Sequence, residues 1–142
     1  MTIVDANVLL YAVNRDSAHH GAARRWLADK LDGPDTVGVA WIVILAFLRV
    51  STNPRIFRAP LTVEQATGAV QVLLDSPNVV VVSPSSRHVS LLTSLINEAG
   101  TAGNLVNDAH LAAMAIEHDA SIGSFDADFS RFTGVRWERP AA

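Results

Sequence analysis

No cysteine occurs in the 142 residues, so neither a disulfide nor a thiolate metal centre can contribute to the fold, and a reducing cytosol is the expected compartment. The longest apolar run, Ala40–Leu48, is nine residues, less than half a membrane span of about 20. At the N-terminus no basic segment precedes an apolar stretch, and Asp5 interrupts the opening apolar run, so no secretory signal is expected. An excess of basic charge is missing too. Eleven Lys and Arg stand against 14 Asp and Glu, a net charge of −3, which excludes a uniformly basic surface and leaves nucleic acid only a local patch. The segment GTAGN at 100–104 is too short for a phosphate-binding loop and lacks its lysine; G-x-S-x-G and H-E-x-x-H motifs are missing as well. His19, His20, His88, His110 and His118 have no metal-ligand spacing, and solvated or capping positions are expected for all of them. His110 follows Asp108 by two residues, so a helix turns the two side chains apart.

What is present is an ordinary globular composition, 49% hydrophobic and 18% charged, in a length that suits one domain spanning 1–142. Strands are expected at Thr2–Asp5, Thr36–Ala40, Asn78–Val82, Ala120–Phe125 and Val135–Trp137. Helices are expected at Ala18–Leu31, Trp41–Val50, Thr62–Leu74, Arg87–Glu98 and Asn107–His118, with a helical turn near Asp128–Arg131. The breaks are chemical: Gly33-Pro34, Asn53-Pro54 and Ser76-Pro77 stop helices, a Gly-containing loop occupies 100–103, and Thr62 with Gln65 forms a capping box. Asn78–Val82 is continuously β-branched, like a strand inside a parallel sheet. Strands that are continuous rather than alternating, interleaved with helices, predict an α/β domain whose parallel sheet is covered on both faces.

Three acids stand where such a fold gathers its loops. Asp5 ends the first strand of TIVDANVLLYA, Asp108 opens the helix DAHLAAMAIEH, and Asp126 ends the strand SIGSF, with Asp128 two residues beyond. Ligands of open parallel sheets collect outside the carboxyl ends of the strands. Each acid singly also suits an N-cap. Brought together, they repel one another and need a cation; an all-oxygen donor set suits Mg²⁺ or Mn²⁺, not Zn²⁺. Ser124 is either a hydroxyl that orients a carboxylate or a plain strand residue. Asn7 is either a hydrogen-bond partner of the acids or a helix cap. Arg49, Arg55 and Arg58 form a local basic group that suits phosphate contacts, contact with a protein partner or a solvated loop, while Arg24, Arg25 and Lys30 read as a solvated face. Phe47, Phe57, Phe129 and Phe132 sit in apolar contexts and are expected in the core or a dimer interface.

Four blocks in order, IVDANVLLYAVN, FLRVSTNPRIF, GNLVNDAHLAAMAIEH and SFDADFSRFTGVRW, resemble the PIN-domain ribonucleases, and within them the VapC toxins of toxin–antitoxin pairs. The resemblance runs from residue 2 to about residue 137. It implies a three-layer α/β/α sandwich with a parallel central sheet, Mg²⁺-dependent endoribonuclease activity, homodimerisation and inhibition by a cognate antitoxin. It assigns Asp5, Asp108 and Asp126 to the catalytic metal site, with Asp128 as a companion, and favours the ligand reading of Asp5 over capping alone. The chain departs at Ala46, where the family usually carries Glu, and 36–52 contains no acid to replace it. A three-carboxylate nuclease and an impaired module that binds RNA or antitoxin without cleaving both remain open. A phosphotransferase using Asp5 as nucleophile is disfavoured, because Asn7 stands where that chemistry usually needs a second Asp.

Overall fold

A carboxylate is costly inside an apolar run, and the chain resolves this by ending its first strand just before one. Strand β1 (Thr2–Val4) is wholly buried, and Asp5 follows it as the N-cap of helix α1 (Ala6–Val13). The chain then runs through α2 (His20–Asp32), β2 (Val37–Ala40), α3 (Trp41–Ser51), α4 (Val63–Asp75), β3 (Val79–Val82) and α5 (His88–Ala99). It continues through α6 (Val106–Glu117), β4 (Ser121–Gly123), a 3-10 turn (Ala127–Arg131) and β5 (Arg136–Glu138). This computed structural model describes residues 1–100 and 103–141, the side chain of Asn104 excepted. Thr101 and Ala102, half of the expected loop 100–103, lie outside the described residues.

The strands form one parallel sheet in the order β3-β2-β1-β4-β5, flanked by the helices, as expected for an α/β/α arrangement. The order matters for function. From β1 the chain winds outward through β2 to β3, then returns to place β4 on the other side of β1. Such a reversal opens a crevice at the carboxyl ends of the two central strands. Val4 pairs with Gly123, so Asp5 leaves β1 where Ser124 leaves β4. The Asp5 amide donates to the Gly123 carbonyl at 2.9 Å, closing the sheet beneath the crevice.

Ile3, Val4, Val8, Val39 and Ile122 are fully buried, and Phe47, Phe57, Phe129 and Phe132 join the interior as expected. Gly123 is required by a close approach: a β-carbon there would lie 2.2 Å from the Trp26 ring. Thr62 and Gln65 make both bonds of the capping box. Helix α1 was foreshadowed only by the capping reading of Asp5. The strand expected over Ala120–Phe125 is shorter: the Ser124 amide still reaches the Glu138 carbonyl at 3.1 Å, but the Phe125 amide turns to Asn7 Oδ1. A larger difference concerns β3, which is an edge strand with Val80 and Val81 41% and 44% exposed. Four consecutive valines favour an extended backbone whether or not a neighbour covers them, so composition could not distinguish edge from interior.

Candidate active site

Asp5 is held on two sides. Its Oδ1 accepts from the Ala6 amide at 2.7 Å, and its Oδ2 accepts from the Ser124 hydroxyl at 2.6 Å and from Asn7 Nδ2 at 3.2 Å. Ser124 is fully buried and is the hub of this wall: its oxygen also accepts from the Asp126 amide at 3.0 Å and from Asn7 Nδ2 at 3.1 Å. Asn7 completes the link, its Oδ1 accepting from the Phe125 amide at 3.1 Å. The hydroxyl-partner reading of Ser124 and the partner reading of Asn7 describe these contacts. At Asp5 one oxygen caps α1 through the Ala6 amide, while the other is taken up by Ser124 and Asn7.

Asp126 caps the 3-10 turn, its Oδ1 accepting from the Asp128 amide at 2.9 Å. That Asx-type turn folds the second carboxylate of D-A-D back toward the first. Asp108 arrives from the first turn of α6. Carboxylate oxygens of Asp108, Asp126 and Asp128 all lie within 4.8 Å of one another, whereas Asp5, expected in this set, is not part of it and reaches it only through its charge on Asp108 and Asp126. Asp128 is therefore fully part of the cluster; its signal in the sequence was the two-residue spacing from Asp126.

The electrostatics follow. Burial, then the charges of Asp126, Asp5 and Asp128, push the Asp108 carboxyl up to about 7. Asp5 is raised as well: burial outweighs the hydrogen bonds from Ser124 and Ala6, and Asp126 adds its charge. Asp108 feels both Asp5 and Asp126, so the four acids form one electrostatic unit. Among the described residues no cationic side chain pairs with Asp5, Asp108 or Asp126, although Arg131 contacts Asp128 at 3.3 Å. Opposite ligands on a small divalent ion stand about 4.2 Å apart, so the cluster and its all-oxygen chemistry fit a hard divalent cation after a slight closure.

The opposite wall is bare. Asp5 and Asp108 line a recess of about 130 Å³ with Ile42, Val43, Ala46 and Asn107. Ala46 thus faces the acids, at the place where the family resemblance had led one to expect Glu. Arg49, Arg55 and Arg58 are exposed on the last turn of α3 and the loop after it, and none makes an ion pair among the described residues. Lys30, expected on a solvated face, instead pairs with Glu138 at 2.7 Å.

The histidine expectation is overturned at two positions. His88 is buried, its Nδ1 2.9 Å from Glu117 Oε2 and its Nε2 2.8 Å from His110 Nδ1. Its place in the polar run SPSSRH hid a partner 29 residues away. His20 and His118 bond the carbonyls of Tyr11 and Ser83, while His19 stands at the N-cap position of α2 without a capping bond and packs on Phe125.

The family of PIN domains matches residues 2–135. Ribonuclease VapC37 of Mycobacterium tuberculosis is 53% identical over 142 residues, which cover 100% of this chain and 99% of that one. This chain belongs to the VapC family of PIN-domain proteins. Ribonuclease VapC33 of the same organism is 38% identical over 140 residues, 99% of this chain and 98% of that one. Among solved structures, VapBC2 from Rickettsia felis, bound to a promoter DNA fragment, superposes with a TM-score of 0.71 at 20% identity, over 97% of each chain. VapC20 of M. tuberculosis, a toxin that cleaves the sarcin-ricin loop, gives 0.66 at 22% identity over 96% of this chain and 99% of that one. These two likenesses carry the PIN-like fold of this VapC chain.

Proposed function

We propose that this VapC chain is the toxin of a toxin–antitoxin pair and an endoribonuclease that hydrolyses RNA phosphodiester bonds at the Asp5, Asp108, Asp126 and Asp128 cluster. The observation that carries the reading is the convergence of the Asp108, Asp126 and Asp128 carboxylates within 4.8 Å, with Asp5 beside them and an Asp108 pKa pushed up to about 7, in a protein similar to named ribonucleases. When bound, Mg²⁺ or Mn²⁺ would lower the pKa of a water and neutralise charge on the scissile phosphate. Asp5, Asp108 and Asp126 are the residues proposed to hold it, with Asp128 beside them. Ser124 and Asn7 keep the Asp5 carboxylate aimed at the crevice. Asp108, whose carboxyl is pushed up to about 7 by burial and its acidic neighbours, would hold the cation as the carboxylate, its proton passing to water. Arg49, Arg55 and Arg58 are proposed to contact the RNA backbone, setting affinity rather than sequence choice.

The partner is proposed to be a cognate antitoxin in the cytoplasm. An apolar groove of about 150 Å³ between α1, α2, α3 and α4, lined by Leu9, Val13, Leu27, Leu31, Val70 and Leu73, suits the apolar face of a partner helix. A homodimer is proposed on the exposed apolar residues Trp41, Leu45, Val80 and Val81. No described helix is long and apolar enough to cross a membrane.

The bare wall at Ala46 favours a second reading, a module that binds RNA or antitoxin with little cleavage. Incubation of the purified protein with structured RNA, with and without Mg²⁺ or Mn²⁺, separates the two. The nuclease reading expects metal-dependent cleavage that Asp5→Asn abolishes. Intact RNA under every metal condition, with tight antitoxin binding retained, supports the module instead.

A further inference from the structure

Helix α6 carries Asp108, and its inner surface is unusually smooth. Its buried residues are Ala109, Leu111, Ala112, Ala113, Met114 and Ala115, mostly methyl groups that offer few knobs to resist rotation about the helix axis. Rotation matters here. A carboxylate about 6 Å from the axis moves about 1 Å when the helix turns by about 10°, whereas metal ligands must be placed within about 0.2 Å.

A polar contact supplies the missing register. His110 and Glu117 are seven residues apart, two turns along one face of α6. The His88 ring, from the first turn of α5, bonds both: Nδ1 to Glu117 Oε2 at 2.9 Å and Nε2 to His110 Nδ1 at 2.8 Å. The far side of Glu117 is tied as well, Oε1 accepting from the Ser85 hydroxyl at 2.6 Å and the Ser85 amide at 3.1 Å. The Glu117 side chain is 1% exposed and that of His88 11%. One imidazole therefore pins two turns of α6 to α5, and Ser85 ties Glu117 to the loop after β3. Asp108, about 200° around the helix from His110, faces the opposite way, into the crevice.

We infer that His88 is a positioning residue for Asp108: by fixing the rotation of α6 it keeps that carboxylate within 4.8 Å of those of Asp126 and Asp128, near enough for a divalent cation to draw them together. The inference rests on the metal reading proposed above. Nothing in it needs a change of protonation: with both rings neutral, His88 Nδ1–H donates to Glu117 and His88 Nε2 accepts from His110 Nδ1–H.

The test is Mn²⁺ affinity, read from the free-ion electron paramagnetic resonance signal at a temperature well below melting, for the full chain and for His88→Leu. Circular dichroism establishes that both are folded. The expected result is binding weakened about tenfold in the variant, the size of effect seen when groups that orient metal ligands are removed. Should His88→Leu fail to fold, Glu117→Gln carries the same test, keeping the side-chain volume while removing the charge that His88 bonds. A folded variant that binds Mn²⁺ within twofold of the unaltered chain overturns the positioning role alone. An unaltered chain that binds no Mn²⁺ overturns the metal reading, and the positioning role falls with it.

Discussion

The wall of the crevice built from the ends of β1 and β4 and the wall built from α3 offer a cation opposite chemistry. On the first, every polar atom of Ser124 and Asn7 discussed above is engaged with Asp5, Asp126 or Phe125, at distances from 2.6 to 3.2 Å. On the second, Ile42, Val43 and Ala46 present carbon only. The carboxylates are thus fixed from one side and desolvated from the other. A hydrogen-bonded wall sets where the charges stand; an apolar wall raises the cost of leaving them uncompensated. The two together explain how Asp108 can rest at a pKa of about 7 in the first turn of a helix, where the dipole alone would favour its charged form.

The comparison breaks most sharply at Ser124. Ser124→Ala removes the 2.6 Å bond to Asp5 and the acceptor for the Asp126 amide while leaving all four acids in the chain. Loss of such an orienting group is expected to weaken Mn²⁺ binding by about 10- to 100-fold. Isothermal titration calorimetry checks this, and a change below threefold would mean that the hydrogen-bonded wall does not govern ligand placement.

Ala46→Glu tests the other wall. A fourth carboxylate in the recess is expected to tighten Mn²⁺ binding about tenfold, since charge count tunes affinity in oxygen-donor sites. In metal-free buffer the same substitution is expected to lower the melting temperature, because it adds a like charge to an uncompensated group. A gain in cleavage rate with no gain in affinity would point to a role for position 46 outside metal binding.

The smallest effect is on the pH dependence of stability. Asp108 titrates near 3.8 in the unfolded chain and at about 7 in the folded one, so between those values the folded form binds more protons. The resulting stabilisation is full below about pH 4 and is lost as pH rises through about 7. After discounting for the partial exposure of the group, the loss is about 1–2 kcal/mol. Melting curves from pH 5 to pH 8 are expected to fall in metal-free buffer and to flatten when Mg²⁺ is added.

Much of this site was legible from local chemistry. Asp5, Asp108 and Asp126 each stood out as an acid beside an apolar element, and the helix–strand alternation placed them at loop-bearing ends. Ser124 showed only as an open choice, because a hydroxyl in a strand looks the same whether it faces solvent or a carboxylate 119 residues away. His88 looks solvated in the sequence for the same reason: burial and a partner on α6 are tertiary facts. The valines of β3 announced a strand but not its edge position, which depends on strand order rather than on any residue in it. Asp128 lay between these cases, its spacing visible and its turn geometry not.

The most direct measurement is a crystal structure of the chain soaked in Mn²⁺ near neutral pH, with anomalous diffraction used to locate the ion. One strong anomalous peak is expected in the crevice, about 2.0–2.5 Å from carboxylate oxygens of at least two of Asp5, Asp108, Asp126 and Asp128. A peak elsewhere, or an empty crevice at Mn²⁺ concentrations that support RNA cleavage, would contradict the metal reading.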